Sequence, residues 1–285
     1  MSNLLDIENL WVRFKTRNGV FDAVRGISFS LGQERLGIVG ESGSGKSMTG
    51  RAILKLVRKP GMMTADRLEL EGEDLLGKSE AQMRAVRGHR ISMIMQDPKF
   101  SLNPVMRVGE QIAEALRLHA DVSKSEAKKR SIEMLNAVSI RDPERVYRMY
   151  PHEVSGGMGQ RIMIAMMLIP NPKILIADEP TSALDVSVQM QVLEIMDKLV
   201  RERGMGLIFI SHDLNLVSSF CDRVLIMYCG RIVETLQADK LHEAKHPYTR
   251  GLLNSLPRLE APKDRLEVLV RDPAWRDEPS VSGLL

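Results

Sequence analysis

Four short stretches of this chain are mostly apolar and end in polar, chemically loaded residues: LGIVG (36–40), ISMIM (91–95), ILIA (174–177) and LIFIS (207–211). Continuous rather than alternating apolarity predicts strands buried on both faces, as in a parallel sheet. Between them the period lengthens to that of a helix. MTGRAILKLV (48–57) predicts one that stops at Lys59-Pro60-Gly61. Residues 186–203 predict another, which keeps Val192, Met196 and Leu199 on one stripe and stops at Gly204. Strands and helices in alternation predict an α/β core.

The middle of the chain has a different pattern. No buried strand is evident from 101 to 169. Ser123 and Glu126 read as a capping box that opens a helix with Ala127, Leu135 and Val138 facing inward. Lys128-Lys129-Arg130 is its solvated face. This stretch reads as a helical insertion in the core. RVLIMYCGRIVE predicts a hairpin turning at Cys229-Gly230. After about residue 236 the chain is polar and proline-punctuated, and RDPAWRDEPSVSGLL at its end is expected to be a flexible tail.

Composition adds mainly exclusions. With 285 residues the chain can form one large α/β domain with an appendage, or two modest domains. A net charge of +3 makes no case for nucleic acid. Cys221 and Cys229 are too few for a disulfide scaffold and fit no zinc spacing, so both read as buried strand thiols. The start, MSNLLDIENL, lacks the basic end and apolar core of a signal peptide. The longest apolar run, IMIAMMLI (162–169), falls well short of the ~18 residues that span a bilayer. The expectation is a cytosolic chain, or one that reaches a membrane through a partner. Met158, Met163, Met166 and Met167 read as helix core.

The chemistry is concentrated in GESGSGKS (40–47), which fits the phosphate-loop pattern G-x-x-x-x-G-K-[ST] between a strand and a helix. Gly40, Glu41, Ser42, Gly43, Ser44 and Gly45 would turn backbone N–H groups toward a β-phosphate, with Met48 just inside the helix. Lys46 would bridge the β- and γ-phosphates, and the Ser47 hydroxyl would bind Mg²⁺. Asp178, closing the apolar run at 174–177, supplies the second Mg²⁺ anchor, and Glu179 is placed to polarise a water. These features alone describe a P-loop nucleotide hydrolase, a class that also includes kinases, GTPases and motor proteins.

VSGGMGQR (154–161) is a second glycine-rich stretch without a lysine. It resembles the signature loop of ATP-binding cassette ATPases. The other cassette elements follow in order: Gln96 looks like the Q-loop glutamine, SALD (182–185) like the D-loop and His212 like the switch histidine. Phe14 stands where the family places an aromatic ring on adenine, with Phe21 a rival and core packing an alternative role. ESGSGKS, MQDPKFSLNP, YPHEVSGGM, ADEPTSALDVSVQ, SHDLNLV, MYCGRIVE and KHPYTRGLLNSLP are similar to the oligopeptide, dipeptide and nickel importer branch, from residue 3 to about 258. The residues beyond depart from its usual pattern.

The resemblance implies a P-loop NTPase fold with a RecA-like, mainly parallel sheet, an N-terminal antiparallel β part and a helical subdomain insertion. The ATPase domain would span 1–240, its core at 1–96 and 171–240 and the helical part at about 97–170, with an importer-type extension at 241–285. It implies ATP and Mg²⁺ as ligands, with Gln96, Ser47 and Asp178 at the metal, and Glu179, His212 and Gln96 as catalytic residues. In a head-to-tail dimer, Ser155, Gly156, Gly157 and Asp185 would reach ATP held by a second, paralogous ATPase subunit. Two membrane permease subunits, an indirect substrate-binding protein and the cytoplasmic face of the inner membrane complete the implied setting. Many members end in a cysteine cluster resembling an iron–sulfur site; with no cysteine beyond Cys229, no cluster is expected. An exporter ATPase, or a soluble cassette ATPase outside transport, is the alternative. Val154 replaces the usual leucine, and Gly159 stands where the branch usually has arginine. Gly159→Arg is therefore expected to alter ATPase rate and leave the fold intact.

Overall fold

The computed structural model describes residues 3–17, 19–95, 101–182, 184–255, 269 and 271–284. It divides into two compact units, Met1–Lys78 with Ile208–Leu285, and Ser79–Leu207.

In the first unit, β1 (Leu5–Thr16) and β2 (Gly19–Leu31) form a long antiparallel hairpin. Along the strand Leu5, Ile7, Leu10 and Val12 are buried and the residues between them are not, the alternation of a half-buried sheet. β3 (Arg35–Val39) is the first apolar run and leads through the glycine loop into α1 (Lys46–Ile53). β4 (Gly61–Thr64) and β5 (Arg67–Leu70) add to β1, and β6 (Glu73–Asp74) adds to β5. Farther along the chain, α8 (Leu214–Phe220) precedes β10 (Arg223–Tyr228) and β11 (Arg231–Gln237). β10 runs parallel to β3, pairing Leu225 with Ile38, and antiparallel to β11. Its turn lies at Cys229-Gly230 as expected. Both residues have positive φ, 45° and 83°, as a two-residue primed turn demands. α9 (Pro247–Asn254) follows.

The second unit contains α2 (Glu80–Val86), β7 (Ile91–Ile94), α3 (Val108–Arg117), α4 (Lys124–Ala137), α5 (Pro143–Arg148), α6 (Gly156–Leu168), β8 (Ile174–Asp178) and α7 (Val186–Glu202). β7 and β8 pair in parallel, and every residue of each is buried. β9 (Gly206–Ser211) is the fourth apolar run. No strand lies among the described residues from 101 to 169. Gly109 of α3 allows the close approach of α5: a Cβ there would sit 2.0 Å from the Tyr147 ring.

Several expectations are corrected. The helix expected at 48–57 ends at Ile53 because Lys55 adopts φ 51°. Its N–H donates to the Ala52 oxygen and that of Leu56 to the Arg51 oxygen, the bond pattern of a Schellman terminus. A lysine takes the place usual for glycine because its ammonium is held by the main-chain oxygens of Leu75, Leu76 and Lys78. Ser123 caps α4, but Glu126 does not close the box; its carboxylate accepts from Arg130 Nε instead, at 2.7 Å. Neither cysteine is on a strand: Cys221 ends α8 and Cys229 lies in the β10–β11 turn.

The C-terminal residues are also not a free tail. Val281 N–H donates to Ile232 O, Gly283 N–H to Ser28 O, and the buried Arg223 guanidinium to Gly283 O. Trp275 stands edge-on to Tyr228, His246 and Tyr248. Ion pairs join these contacts, Arg271 with Glu41 and Arg25 with Asp277, so a segment that reads as polar is docked through its charges and main chain as well as through one tryptophan.

Candidate nucleotide site

The phosphate loop leaves a strand that is buried along nearly its whole length, which fixes where its first glycine emerges. A Cβ on Gly40 would lie 2.1 Å from the Met227 oxygen, and one on Gly45 2.5 Å from the Ala23 oxygen. Only glycine lets the loop pass between these backbones. Gly45, at φ 103°, is the N-cap of α1, so Lys46 and Ser47 open the helix and Met48 completes its first residues. N–H groups at that end have no intrahelical acceptors and carry the positive end of the dipole. Lys46 is only 5% exposed, and its ammonium donates to Gly40 O at 2.7 Å and Glu41 O at 2.9 Å. The Ser44 hydroxyl is buried and has no hydrogen-bond partner among the described residues. A buried hydroxyl and a buried ammonium beside a glycine-lined cradle fit an anionic, phosphate-bearing ligand.

On the loop's flank a cavity of about 390 Å³ is lined by Val20, Phe21, Asp22, Arg25, Gly43, Cys229, Arg276 and Asp277. Phe21 is 54% exposed there. Phe14 pairs with it directly across the hairpin, so both rings stand on one face. Phe14 itself is half-buried, and a Cβ on Gly61 would come within 2.7 Å of its ring. Of the two, Phe21 is the ring that borders the phosphate loop, and Phe14 packs beneath the strand edge. His212 follows β9 and is exposed; the next residue, Asp213, caps α8.

In the second unit Asp178 ends β8 and is 4% exposed, while Glu179 is half-buried at φ 48°. A glutamate in the left-handed region costs on the order of 1 kcal/mol, and such strain collects at functional positions. The Glu179 carbonyl accepts from Ser182 N–H and Oγ. Asp185 caps α7: Oδ1 accepts from Ser187 Oγ at 2.7 Å and Val188 N–H at 3.0 Å. These bonds, that of Ser187 foremost, hold its carboxyl below the ordinary value. Ser155 caps α6 by accepting from Met158 N–H at 3.3 Å.

Ser155 and Gly156 are exposed, and a Cβ on Gly156 would meet nothing within 4 Å. One on Gly157 would meet Val188 at 2.8 Å. Gly159 is buried, so Gly159→Arg is a change of packing as well as of charge. Gln96 lies outside the described residues.

Three contacts were missed on the sequence. Gln160, 2% exposed, donates its side-chain amide to Pro180 O, in the loop that follows Glu179. Tyr248 and Arg271 both bond to Glu41 of the phosphate loop. Neither Tyr248, inside HPYT, nor Arg271, well beyond it, carries a local pattern that points to Glu41. α2 was missed as well, although Ser79 and Gln82 form a complete capping box there.

A family model described as ABC transporter matches residues 24–182. A second, described as the C-terminal region of oligopeptide/dipeptide transporters, matches residues 233–281, so the likeness runs well past residue 258. The chain is 50% identical over 264 residues to the oligopeptide transport ATP-binding protein OppD of Bacillus subtilis (strain 168), covering 92% of this chain and 74% of that one. It is 46% identical over 268 residues to the dipeptide transport ATP-binding protein DppD of Escherichia coli (strain K12), covering 93% and 82%. Among solved structures, the dimeric structure of MJ0796, a bacterial ABC transporter cassette, has a TM-score of 0.73 at 25% identity, covering 82% of this chain and 98% of that one.

Proposed function

This chain belongs to the ABC transporter family, and on that footing we propose that it hydrolyses ATP to energise a membrane importer of peptides or related small solutes. The observation that carries the reading is the buried Lys46 ammonium beside the unpartnered Ser44 hydroxyl in a loop only glycine can form. A buried cation and hydroxyl of this kind are stabilised by a polyphosphate.

In the proposed chemistry, Lys46 binds the β- and γ-phosphate oxygens and the α1 N–H groups bind the β-phosphate. Mg²⁺, where bound, would be held by the Ser47 hydroxyl and the Asp178 carboxylate, the hard oxygen donors it prefers, with Gln96 as a further one, and would supply charge neutralisation to the phosphates. Water attacks the γ-phosphorus and ADP leaves. Glu179 accepts the water's proton, and His212 donates a hydrogen bond to the γ-phosphate. Phe21, with Phe14 beside it, offers the adenine a ring.

The exposed Ser155 hydroxyl and the Gly156 and Gly157 N–H groups open a helix, and among the described residues nothing lies within 4 Å of a Cβ built on Gly156. That end suits a phosphate held by a second, paralogous ATPase subunit, with Asp185 reaching across as well. Association is then strong with ATP and weak after hydrolysis. Among the described residues no helix is long and apolar enough to cross a membrane. As the ATPase of an importer, this subunit sits in the proposed reading on the cytoplasmic face of the inner membrane, under two permease subunits served by a substrate-binding protein.

The test is Mg²⁺-dependent ATP turnover by the purified chain, with pull-down from solubilised membranes. Turnover lost in Lys46→Ala, together with recovery of two polytopic membrane proteins, is the expected result. Unchanged nucleotide affinity in Lys46→Ala would remove the phosphate-loop assignment. Recovery of no membrane protein would favour an ATPase outside transport.

A further inference from the structure

Glu41, the first variable residue of the phosphate loop, is held at every polar group it has. Its backbone N–H donates to the Tyr248 hydroxyl oxygen at 3.1 Å. Its carbonyl accepts from the Lys46 ammonium at 2.9 Å and from Ser44 N–H at 3.2 Å. Its carboxylate accepts from Arg271, Nη2 at 2.6 Å and Nε at 3.2 Å, the two-pronged geometry that fixes direction as well as distance. Of these four anchors, Tyr248 and Arg271 come from the C-terminal part of the chain, one is the lysine that would bind phosphate, and the last is the loop's own Ser44 N–H.

Tyr248 is itself rigidly placed. It is fully buried, with its ring 4.5 Å from that of Tyr228 and 6.4 Å from that of Trp275. Its N–H donates to His246 Nδ1 at 3.1 Å, so His246 carries its proton on Nε2 and donates it to Glu278 at 3.0 Å. The N–H groups of Lys245 and His246 donate to the Glu234 carboxylate. Burial pushes the Tyr248 phenol well above its ordinary value, so it remains a neutral phenol whose oxygen accepts from Glu41. The β10–β11 turn braces the same loop, Gly230 N–H donating to Ser44 O.

We propose that the C-terminal segment is a clamp on the phosphate loop, in which the Tyr248 hydroxyl and the Arg271 guanidinium position Glu41 and, through it, the carbonyl that holds Lys46. Both are positioning residues: they touch the loop and not the reacting atoms. The clamp sets the loop's shape before a phosphate enters, and so acts on nucleotide affinity. It makes the extension part of the nucleotide site's support. The inference rests on the ATPase reading.

The test measures equilibrium binding of a fluorescent ATP analogue, with ATP turnover, on the full chain and its variants. Tyr248→Phe removes one oxygen from the aromatic cluster and is expected to weaken binding about fivefold, the scale of one hydrogen bond. Arg271→Gln is expected to weaken it about twofold, as suits an ion pair partly open to water. Arg271→Gln should have no further effect in a Glu41→Gln background, because both changes break the same pair.

A purely structural extension would lower the thermal midpoint without this non-additivity. Wild-type affinity in both Tyr248→Phe and Arg271→Gln would overturn the clamp, as would equal effects of Arg271→Gln with and without the Glu41 carboxylate. Should Tyr248→Phe fail to fold, the Glu41–Arg271 cycle decides. If the unaltered chain bound no nucleotide, the ATPase reading would fail instead.

Discussion

The side-chain amide of Gln160, in the first turns of α6, donates to the main-chain oxygen of Pro180. Gln160 is buried, so little water is available to replace that bond. The residue ties the helix opened by Ser155 to the loop entered through Glu179. Gln160→Leu keeps the volume and leaves the carbonyl unpartnered, costing about 1–3 kcal/mol, or a thermal midpoint lower by about 2–10 °C. Gln160→Glu places a carboxylate against a carbonyl. It should be worse at neutral pH and partly relieved in acid, where the protonated carboxyl can donate. Melting curves for both variants at two pH values check this; unchanged midpoints would show that the bond adds nothing.

The phosphate loop was legible in the sequence because its pattern is local. Gly40, Gly45, Lys46 and Ser47 lie within one strand–turn–helix, although the backbones that demand glycine at 40 and 45 belong to Met227 and Ala23, far off along the chain. The hairpin at Cys229-Gly230 was legible for the same reason. The two bonds that support the loops were not. Glu41 and Tyr248 are 207 residues apart, and Gln160 and Pro180 are 20 apart on different elements. HPYT could be read as a mark of kinship, but no pattern in it says that Tyr248 faces the phosphate loop. The docked C-terminus hides similarly: Val281 and Gly283 bind through main-chain groups, which any residue type carries.

Glu179 combines a carboxylate with a positive φ, and two substitutions separate these. Glu179→Gln keeps shape and strain and removes the proton acceptor. Turnover should fall by about 10²–10⁴-fold, the usual worth of a general base, with ATP affinity retained. Glu179→Gly removes the acceptor and the strain together, so it should lose turnover equally and melt no lower. Single-turnover hydrolysis with nucleotide-binding titrations distinguishes them. Substantial turnover in Glu179→Gln would take the base role from this residue.

Phe14 and Phe21 face each other across the β1–β2 hairpin but differ in surroundings. Phe21→Ala removes an exposed ring beside Gly43, so ATP affinity should weaken about tenfold with little change in stability. Phe14→Ala opens the packing against Gly61 and should lower the thermal midpoint first. Comparing ATP with a triphosphate lacking the base isolates the ring's share. If Phe14→Ala alone abolished the preference for the base, the two assignments would be exchanged.

Asp185 is both the N-cap of α7 and a residue expected to face a second subunit's nucleotide, and its titration separates these roles. Its folded-state value lies below the ordinary 3.8, through Ser187 and Val188. A depressed carboxyl contributes stability that is fully present above its unfolded value and lost as pH falls through the folded one. Asp185→Asn keeps an oxygen that caps the helix but does not titrate. The wild type should therefore melt above Asp185→Asn at neutral pH, with the gap closing as pH falls below the ordinary carboxylate range. The gap should be small, because the carboxylate is open to solvent. Since the cap survives in Asp185→Asn, any larger loss of ATP turnover at neutral pH reflects the charge itself. A variant whose turnover falls only as far as its stability would leave Asp185 a helix cap and nothing more.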